Sequence, residues 1–292
     1  EIENPLLKKS KTPKDKKEYE MAETIKKDDE ILIQGKIKSG VFDVDGSISS
    51  QYITGLLFAL PLLDGDSIIN IIPPINSKEY IDMTLDVLDK FNIKYERINN
   101  SIKVFGNQKY IPFDSVIEGD YSNSAFLDAF NYLNSNVVIN NLNPYSLQGD
   151  KAYIEYFKQL DKQYCVLDIS NCIDLGPVLF AFAALKHGGK FTGTSRLKIK
   201  ESNRDLAMKE ELSKVGIKVD VNENDVIVYK SSLHKPKEPF FSHNDHRVVM
   251  ALSLLLSQFD IVINDAQAIN KSYPDYFKDL EKLGVDVSYD FN

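Results

Sequence analysis

The stretch Asp45-Gly46-Ser47-Ile48-Ser49-Ser50-Gln51, running through an apolar segment at 53–63 into Ser67-Ile68-Ile69-Asn70-Ile71-Ile72, decides the fold. A polar loop of small residues opens a helix, with hydroxyl side chains where a helix start favours them. The β-branched run after it, bounded by Gly, Asp and Asn, reads as a buried strand. A second helical pattern follows over 77–91. Helices alternating with strands in this way imply an α/β architecture.

Outward from this stretch the same unit recurs: polar loop, amphipathic helix, β-rich strand, second helix, closing strand or hairpin. Helix starts stand at Ser49-Ser50-Gln51, Asp120-Tyr121-Ser122-Asn123-Ser124, Asp174-Leu175-Gly176-Pro177 and Asn244-Asp245-His246-Arg247, each ahead of a run rich in Ala, Leu, Phe or Val. The strand pattern returns at Val137-Val138-Ile139-Asn140 and Ile261-Val262-Ile263-Asn264, and second helices are predicted over 148–160, 202–215 and 274–283. Gly, Asn, Gln and Pro cluster at 105–111, the expected passage between domains. The expected division is a charged linker or remnant at 1–34, a first domain at 35–108 and a second at 109–292. Within the first segment, 7–30 is dominated by Lys, Asp and Glu and reads as a solvated arm.

A length of 292 residues suits about two domains. Hydrophobic residues at 43% and charged residues at 27% are ordinary globular usage, so a core is available. The net charge of −8 argues against a nucleic-acid or membrane partner, both of which call for a broad basic face, and any anion site must be local. Cys165 and Cys172 are too few for a disulfide framework or a four-cysteine zinc site, which fits a reducing cytoplasm. The longest apolar stretch, 53–63, is broken by Pro61 and falls short of the roughly 20 residues a membrane span needs. The opening residues carry alternating charge without an apolar core, so no secretory signal is expected.

Three segments place positive charge where helices are expected to begin: Lys200-Glu201-Ser202-Asn203-Arg204, Asp245-His246-Arg247 and Lys271-Ser272-Tyr273-Pro274. Cations at that end oppose the helix dipole by about 0.3–1 kcal/mol each. An anionic ligand would supply the missing negative charge, which points to phosphorylated substrates. Lys200 and Arg204 are four positions apart and share a helical face; the plainer reading is a surface helix with Lys–Glu pairs. The loop at Gly46–Gln51 offers hydroxyls and free N–H groups for phosphate, or Ser49 and Ser50 serve only as caps. Asp174, heading an almost wholly apolar helix, is either an N-cap or a general base. His243, Asp245 and His246 have the residue types of a metal site, but no second His- or Cys-rich segment completes a shell and Arg247 would oppose a cation.

Together these segments resemble the 5-enolpyruvylshikimate-3-phosphate synthase family. The resemblance rests on Asp45–Gln51, Gly119-Asp120-Tyr121-Ser122, Lys200–Arg204, Asn244–Arg247 and Lys271-Ser272-Tyr273-Pro274-Asp275-Tyr276, in the family's order, and covers about residues 31–290. It implies an α/β enolpyruvyl transferase fold, two domains built from repeated βαβαββ units whose inner helices point at the interdomain cleft. The implied reaction transfers the enolpyruvyl group of phosphoenolpyruvate to the 5-hydroxyl of shikimate 3-phosphate, on the shikimate pathway to aromatic amino acids, in a cytoplasmic monomer.

By the same resemblance Ser49, Ser50, Ser77 and Tyr80 would hold shikimate 3-phosphate, with Gln51 near both substrates. Arg204, Arg247 and Lys271 would bind phosphoenolpyruvate, with Asp245 and His246 alongside. Asp174 would take the 5-hydroxyl proton with Lys200 nearby, and Glu201 would protonate the methylene carbon. No metal or organic cofactor is implied. The family's amino-terminal part, with its Gly-Ser-Lys-Ser type loop, is expected to lie outside this chain, leaving the first domain incomplete. Glu3-Asn4-Pro5 falls where the family has Glu-Arg-Pro, and Asn203 stands where it commonly has Asp. The alternatives are a non-catalytic binder of shikimate 3-phosphate, an interaction protein with an inherited cleft, and the related transferase acting on UDP-N-acetylglucosamine.

Overall fold

The computed structural model describes residues 23–27 and 30–289. Its contacts divide the chain into one unit ending at Ser115 and another beginning at Val116. Most of the charged segment at 7–30, and Glu3-Asn4-Pro5, lie outside the described residues. The end of that segment forms β1 (Glu23–Lys27), paired antiparallel with β2 (Glu30–Gln34).

The first unit is built from β3 (Val41–Asp45), α1 (Ser50–Ala59), β4 (Ser67–Ile72), α2 (Lys78–Lys90), β5 (Tyr95–Ile98) and β6 (Ser101–Val104). β3 and β4 are parallel, and β6 and then β5 add antiparallel, giving the order β3-β4-β6-β5. Along β4, Ser67, Ile69 and Ile71 are buried while Ile68 and Ile72 are exposed, the period-2 signature of a sheet covered on one face. That face packs Ile69, Ile71, Ile102 and Val104 against Ile53 and Leu57 of α1 and Ile81, Leu85 and Leu88 of α2. Each such burial stabilises by about 1.5–3 kcal/mol.

The turn-rich segment at 105–111 belongs to this unit. Asn107 N–H donates to the Leu63 carbonyl at 2.6 Å, Gln108 N–H to that of Pro61 at 2.8 Å, and the Tyr110 hydroxyl to that of Phe58 at 2.7 Å. Its Asn and Gln are used to fold the chain back onto α1, and the division comes later, after Ser115.

The second unit comprises α3 (Tyr121–Asp128), α4 (Tyr153–Lys162), β7 (Val166–Asp168), α5 (Gly176–Leu185), β8 (Gly189–Thr192), α6 (Arg204–Ser213), β9 (Val219–Val221), β10 (Asp225–Val228), β11 (Phe240–Phe241), α7 (His246–Ser253), β12 (Ile263–Asn264) and α8 (Tyr276–Lys282). The order β7-β8-β10-β9, with β7 and β8 parallel and the rest antiparallel, repeats the topology of the first unit. The βαβαββ unit is thus present complete in each. Buried from Gly176 to Ala184, α5 is apolar on every side, as a helix surrounded by others must be, and it packs on α4, α6 and α7.

Two expected strands differ. Residues 137–140 are half-buried and exposed in alternation, but among the described residues no strand pairs with them. The Asn131 side chain takes the ladder's place, accepting from Val137 N–H at 2.5 Å and donating to the Val137 carbonyl at 2.9 Å. Of 261–264, only Ile263–Asn264 enters a sheet, parallel to β11.

Candidate active site

Three helices of the second unit bring their starts together. Asp245 is the N-cap of α7, its Oδ1 accepting from Arg247 N–H at 2.9 Å. The same carboxylate reaches the next helix: Oδ2 accepts from Arg204 Nε at 2.7 Å and from the Ser202 hydroxyl at 3.0 Å. Arg204, the first residue of α6, is only 1% exposed. Its Nη1 donates to Asp174 Oδ1 at 2.7 Å, and its Nη2 to Asp245 Oδ1 at 3.3 Å.

Asp174 lies just ahead of α5, in the turn Ile173–Leu175. Lys200 Nζ is 3.2 Å from its Oδ1, and Arg247 Nη2 is 3.6 Å from its Oδ2. Burial alone would raise the pKa of Asp174, but Arg247, Lys200 and Arg204 outweigh it and hold the group ionised, far below the usual carboxylate range. Arg247 also donates to the Ser122 hydroxyl at the start of α3. Burial likewise opposes ionisation of Asp245, and the Arg204 charge and hydrogen bonds overcome it.

Glu201 anchors a second cluster. His246 Nδ1 is 2.8 Å from its Oε2 and Lys271 Nζ is 3.0 Å from its Oε1. An ionised carboxylate only accepts, so the imidazole donates from Nδ1. Burial and the Arg247 charge lower the His246 pKa, against the opposing pull of Glu201 and Asp245, and keep the ring neutral. Glu201, Asp245 and His246 offer three ligand atoms within 4.8 Å of one another, as do Glu210, Glu211 and His243. In the first group Arg204 and Lys271 already neutralise the carboxylates, so an added cation would meet repulsion.

Lys271 departs from its expected place. It ends the short helix Ala266–Lys271, and α8 begins only at Tyr276, so its charge sits at a helix C-terminus, which favours cations. For Arg204 the expected position at a helix start holds, but the opposing negative charge comes from Asp245 and Asp174.

In the first unit the starts of α1 and α2 lie side by side. Asn76 N–H donates to the Gly46 carbonyl at 3.1 Å, and its side chain to the Ser47 carbonyl at 3.1 Å. Ser49 caps α1, its hydroxyl accepting from Gln51 N–H at 3.2 Å; Ser50 is buried and the Gln51 side chain exposed. Ser77, at the N-cap position of α2, is buried with φ of 52°, and Tyr80 one turn on is half-buried.

The sequence model of the family described as EPSP synthase (3-phosphoshikimate 1-carboxyvinyltransferase) matches residues 22–165 and 158–280. This chain belongs to the EPSP synthase family. A 3-phosphoshikimate 1-carboxyvinyltransferase of Clostridium acetobutylicum is 40% identical over 277 residues, covering 88% of this chain and 64% of the relative. One from Clostridium novyi is 40% identical over 277 residues, covering 87% and 63%. An EPSP synthase structure from Acinetobacter baumannii superposes with a TM-score of 0.68 over 90% of this chain and 68% of that one, at 21% identity. The enolpyruvyl transferase NikO from Streptomyces tendae gives 0.64 at 14% identity, over 91% and 69%. The chain spans about 64% of the length of the curated relatives it matches.

Within this EPSP synthase framework the second unit brings together Asp174, Lys200, Glu201, Arg204, Asp245, His246, Arg247 and Lys271, while Ser49, Ser50, Gln51, Ser77 and Tyr80 lie in the first. Sequence reasoning missed the contribution of Ser122, though its motif was visible. It also missed Asp150, 2% exposed in the turn Gly149–Ala152, which reads locally as nothing more than an acidic helix start. Among the described residues no helix is long and apolar enough to cross a membrane.

Proposed function

We propose that this chain serves the transfer of the enolpyruvyl group of phosphoenolpyruvate to the 5-hydroxyl of shikimate 3-phosphate, with release of phosphate. The observation that carries this reading is the gathering of Lys200, Arg204 and Arg247 on Asp174, beside Glu201 held by His246 and Lys271. Addition needs a base for the hydroxyl proton and an acid for the methylene carbon; elimination then expels phosphate and returns that proton. Asp174 is the base, with Lys200 beside it, and Glu201 is the acid once it has taken a proton from solvent in place of one of the bonds it accepts from His246 and Lys271. Arg247, Lys271 and Lys200 neutralise the two anions. Arg204, buried with its nitrogens spent on carboxylates, reaches phosphoenolpyruvate only if it exchanges Asp174 for the ligand.

A carboxylate stabilised by three cations is a weak proton acceptor. Substrate anions that draw Lys200 and Arg247 towards themselves raise the basicity of Asp174 at the moment it is needed. Ser49, Ser50, Gln51, Ser77 and Tyr80 supply the shikimate 3-phosphate contacts. The reading also takes the chain as a cytoplasmic monomer with no nucleic-acid or membrane partner.

The test is release of inorganic phosphate from the two substrates by the purified chain. We expect turnover that falls by about 10²–10⁴ in Asp174→Asn and in Glu201→Gln. The 64% span favours a second reading, a binder of shikimate 3-phosphate without turnover. Calorimetric binding without phosphate release, unchanged by Asp174→Asn, supports that one; neither binding nor release excludes both.

A further inference from the structure

Glu211, near the end of α6, is 0% exposed and has no part in the chemistry above. We propose that Glu211 is a positioning residue for the start of α7, acting through His243 and the Phe241 N–H. The inference rests on the reading of His246 and Arg247 as substrate-side groups, and deepens it.

Both Glu211 oxygens are committed to the chain that leads into α7. Oε2 accepts from Phe241 N–H at 2.9 Å and lies 2.9 Å from Lys214 Nζ, which itself donates to the Pro239 carbonyl at 3.1 Å. Oε1 is 3.0 Å from His243 Nε2. A carboxylate paired with Lys214 only accepts, so the imidazole donates from Nε2. Strand geometry explains why a side chain is needed there. Phe240 and Ser242 give their N–H groups to the Val262 and Asn264 carbonyls at 2.8 and 3.2 Å. The Phe241 N–H, between them, points to the other side of the strand, and Glu211 supplies its acceptor. Lys214 also neutralises the carboxylate, so an added cation would meet repulsion and the grouping of Glu210, Glu211 and His243 reads as a clamp.

The turn that follows is strained. His243 and Asn244 have φ of 52° and 53°, two consecutive residues in the left-handed region, where a Cβ carries a steric cost. Such residues stay there only when their surroundings hold them. Asn244 N–H is held on the Ser242 hydroxyl and Asp245 N–H on the Ser242 carbonyl, both at 3.0 Å, and the His243 ring is held on Glu211. This turn sets the direction in which the chain enters the Asp245 cap, and so where His246 meets Glu201 and Arg247 meets Asp174. Arg204 and Glu211 are seven positions apart and share one face of α6. One grips Asp245 and the other grips the chain just ahead of it, so the turn is fixed from both sides. Without the second grip the turn relaxes and His246 leaves Glu201.

The experiment compares the unmodified chain with Glu211→Ala, His243→Ala and His243→Gln, each first shown to melt cooperatively. Proton–nitrogen NMR of the free chain reads the His246 Nδ1–H, which donates to Glu201 at 2.8 Å, without any need for turnover. That signal should shift and exchange faster with solvent in Glu211→Ala and His243→Ala, and return in His243→Gln, whose amide N–H reaches as far as Nε2. A His246 signal identical in the unmodified chain and His243→Ala overturns the proposal even where the melting temperature falls, because the clamp would then serve stability alone. A signal displaced equally in His243→Ala and His243→Gln also overturns it, since the bulk of the ring and not its bond would set the turn. In the phosphate-release assay, KM for phosphoenolpyruvate should rise about tenfold in His243→Ala, the scale of one charge-assisted hydrogen bond, with kcat changed less; kcat lost at unchanged KM overturns the proposal. If Glu211→Ala fails to melt cooperatively, the two variants of the half-buried His243 decide. Absence of turnover refutes the proposed reaction and leaves the NMR result to judge the clamp.

Discussion

Arg204→Met is the sharpest test of how the second unit holds its site. Asp245 is 0% exposed and takes two of the three Arg204 bonds, at 2.7 and 3.3 Å. Removing one partner of a buried ion pair costs about 3–5 kcal/mol, because the remaining charge stays desolvated. Asp174 is not orphaned, since Lys200 and Arg247 remain at 3.2 and 3.6 Å. Asp245 keeps Ser202 and the Arg247 N–H. The loss therefore centres on one carboxylate with two surviving donors, and we expect the lower end, about 3 kcal/mol at pH 7.

The pH dependence has a definite sign. With Arg204 present the folded pKa of Asp245 is depressed, so its contribution exists above the unfolded pKa and is lost as pH falls through the folded value. Without Arg204, burial prevails and raises that pKa, so stability is lost as pH rises. The gap between the two proteins is widest at pH 7 and narrows below about pH 4. Urea unfolding followed by circular dichroism at both pH values measures it. Adding Asp245→Asn should recover much of the loss, since Asn still caps α7. A cost under about 1 kcal/mol, or a double variant no better than the single, would refute the account.

Two further outcomes are expected. Gly46→Ala should destabilise the first unit by about 1–3 kcal/mol: its Cβ would stand 2.8 Å from Ile71 Cγ2 and 3.1 Å from the carbonyls of Ile72 and Pro74, and a neutral urea titration contradicts this. Nitrogen NMR at pH 7 should find His246 neutral and protonated on Nδ1, titrating below the ordinary value of about 6.5, because burial and Arg247 lower its pKa. An imidazolium at pH 7 would contradict that. Since the lowered pKa favours the neutral ring in the folded state, this residue stabilises the chain above its unfolded pKa and loses that effect as pH falls.

Repetition of a local pattern made the architecture legible: a polar helix start, an apolar helix and a β-branched strand identify each βαβα segment without reference to the rest of the chain. The pairing of 137–140 was not legible. Alternation along a strand reports which side chains are buried, as Val137 and Ile139 partly are, but carries no information on whether a neighbour supplies the ladder. The passage at 105–111 failed similarly, because Asn, Gly and Gln mark a change of direction and not whether the chain then returns to its own unit.

At the site, charge alone picked out cations that the second unit does bring together, but with an incomplete balance. Lys200, Arg204, Arg247 and Lys271 were read as cations awaiting an external anion. Two of the same motifs also supply Glu201 and Asp245, and the turn ahead of α5 supplies Asp174, so four cations face three carboxylates. Asp245 is invisible as a partner of Arg204 from 41 residues away. A site balanced in this way is stable when empty, and an entering phosphate must compete with carboxylates for each cation it takes. On the proposed reaction that competition would turn Asp174 from a counter-ion into a base, so the charges that fold the second unit are the ones the proposed chemistry must loosen.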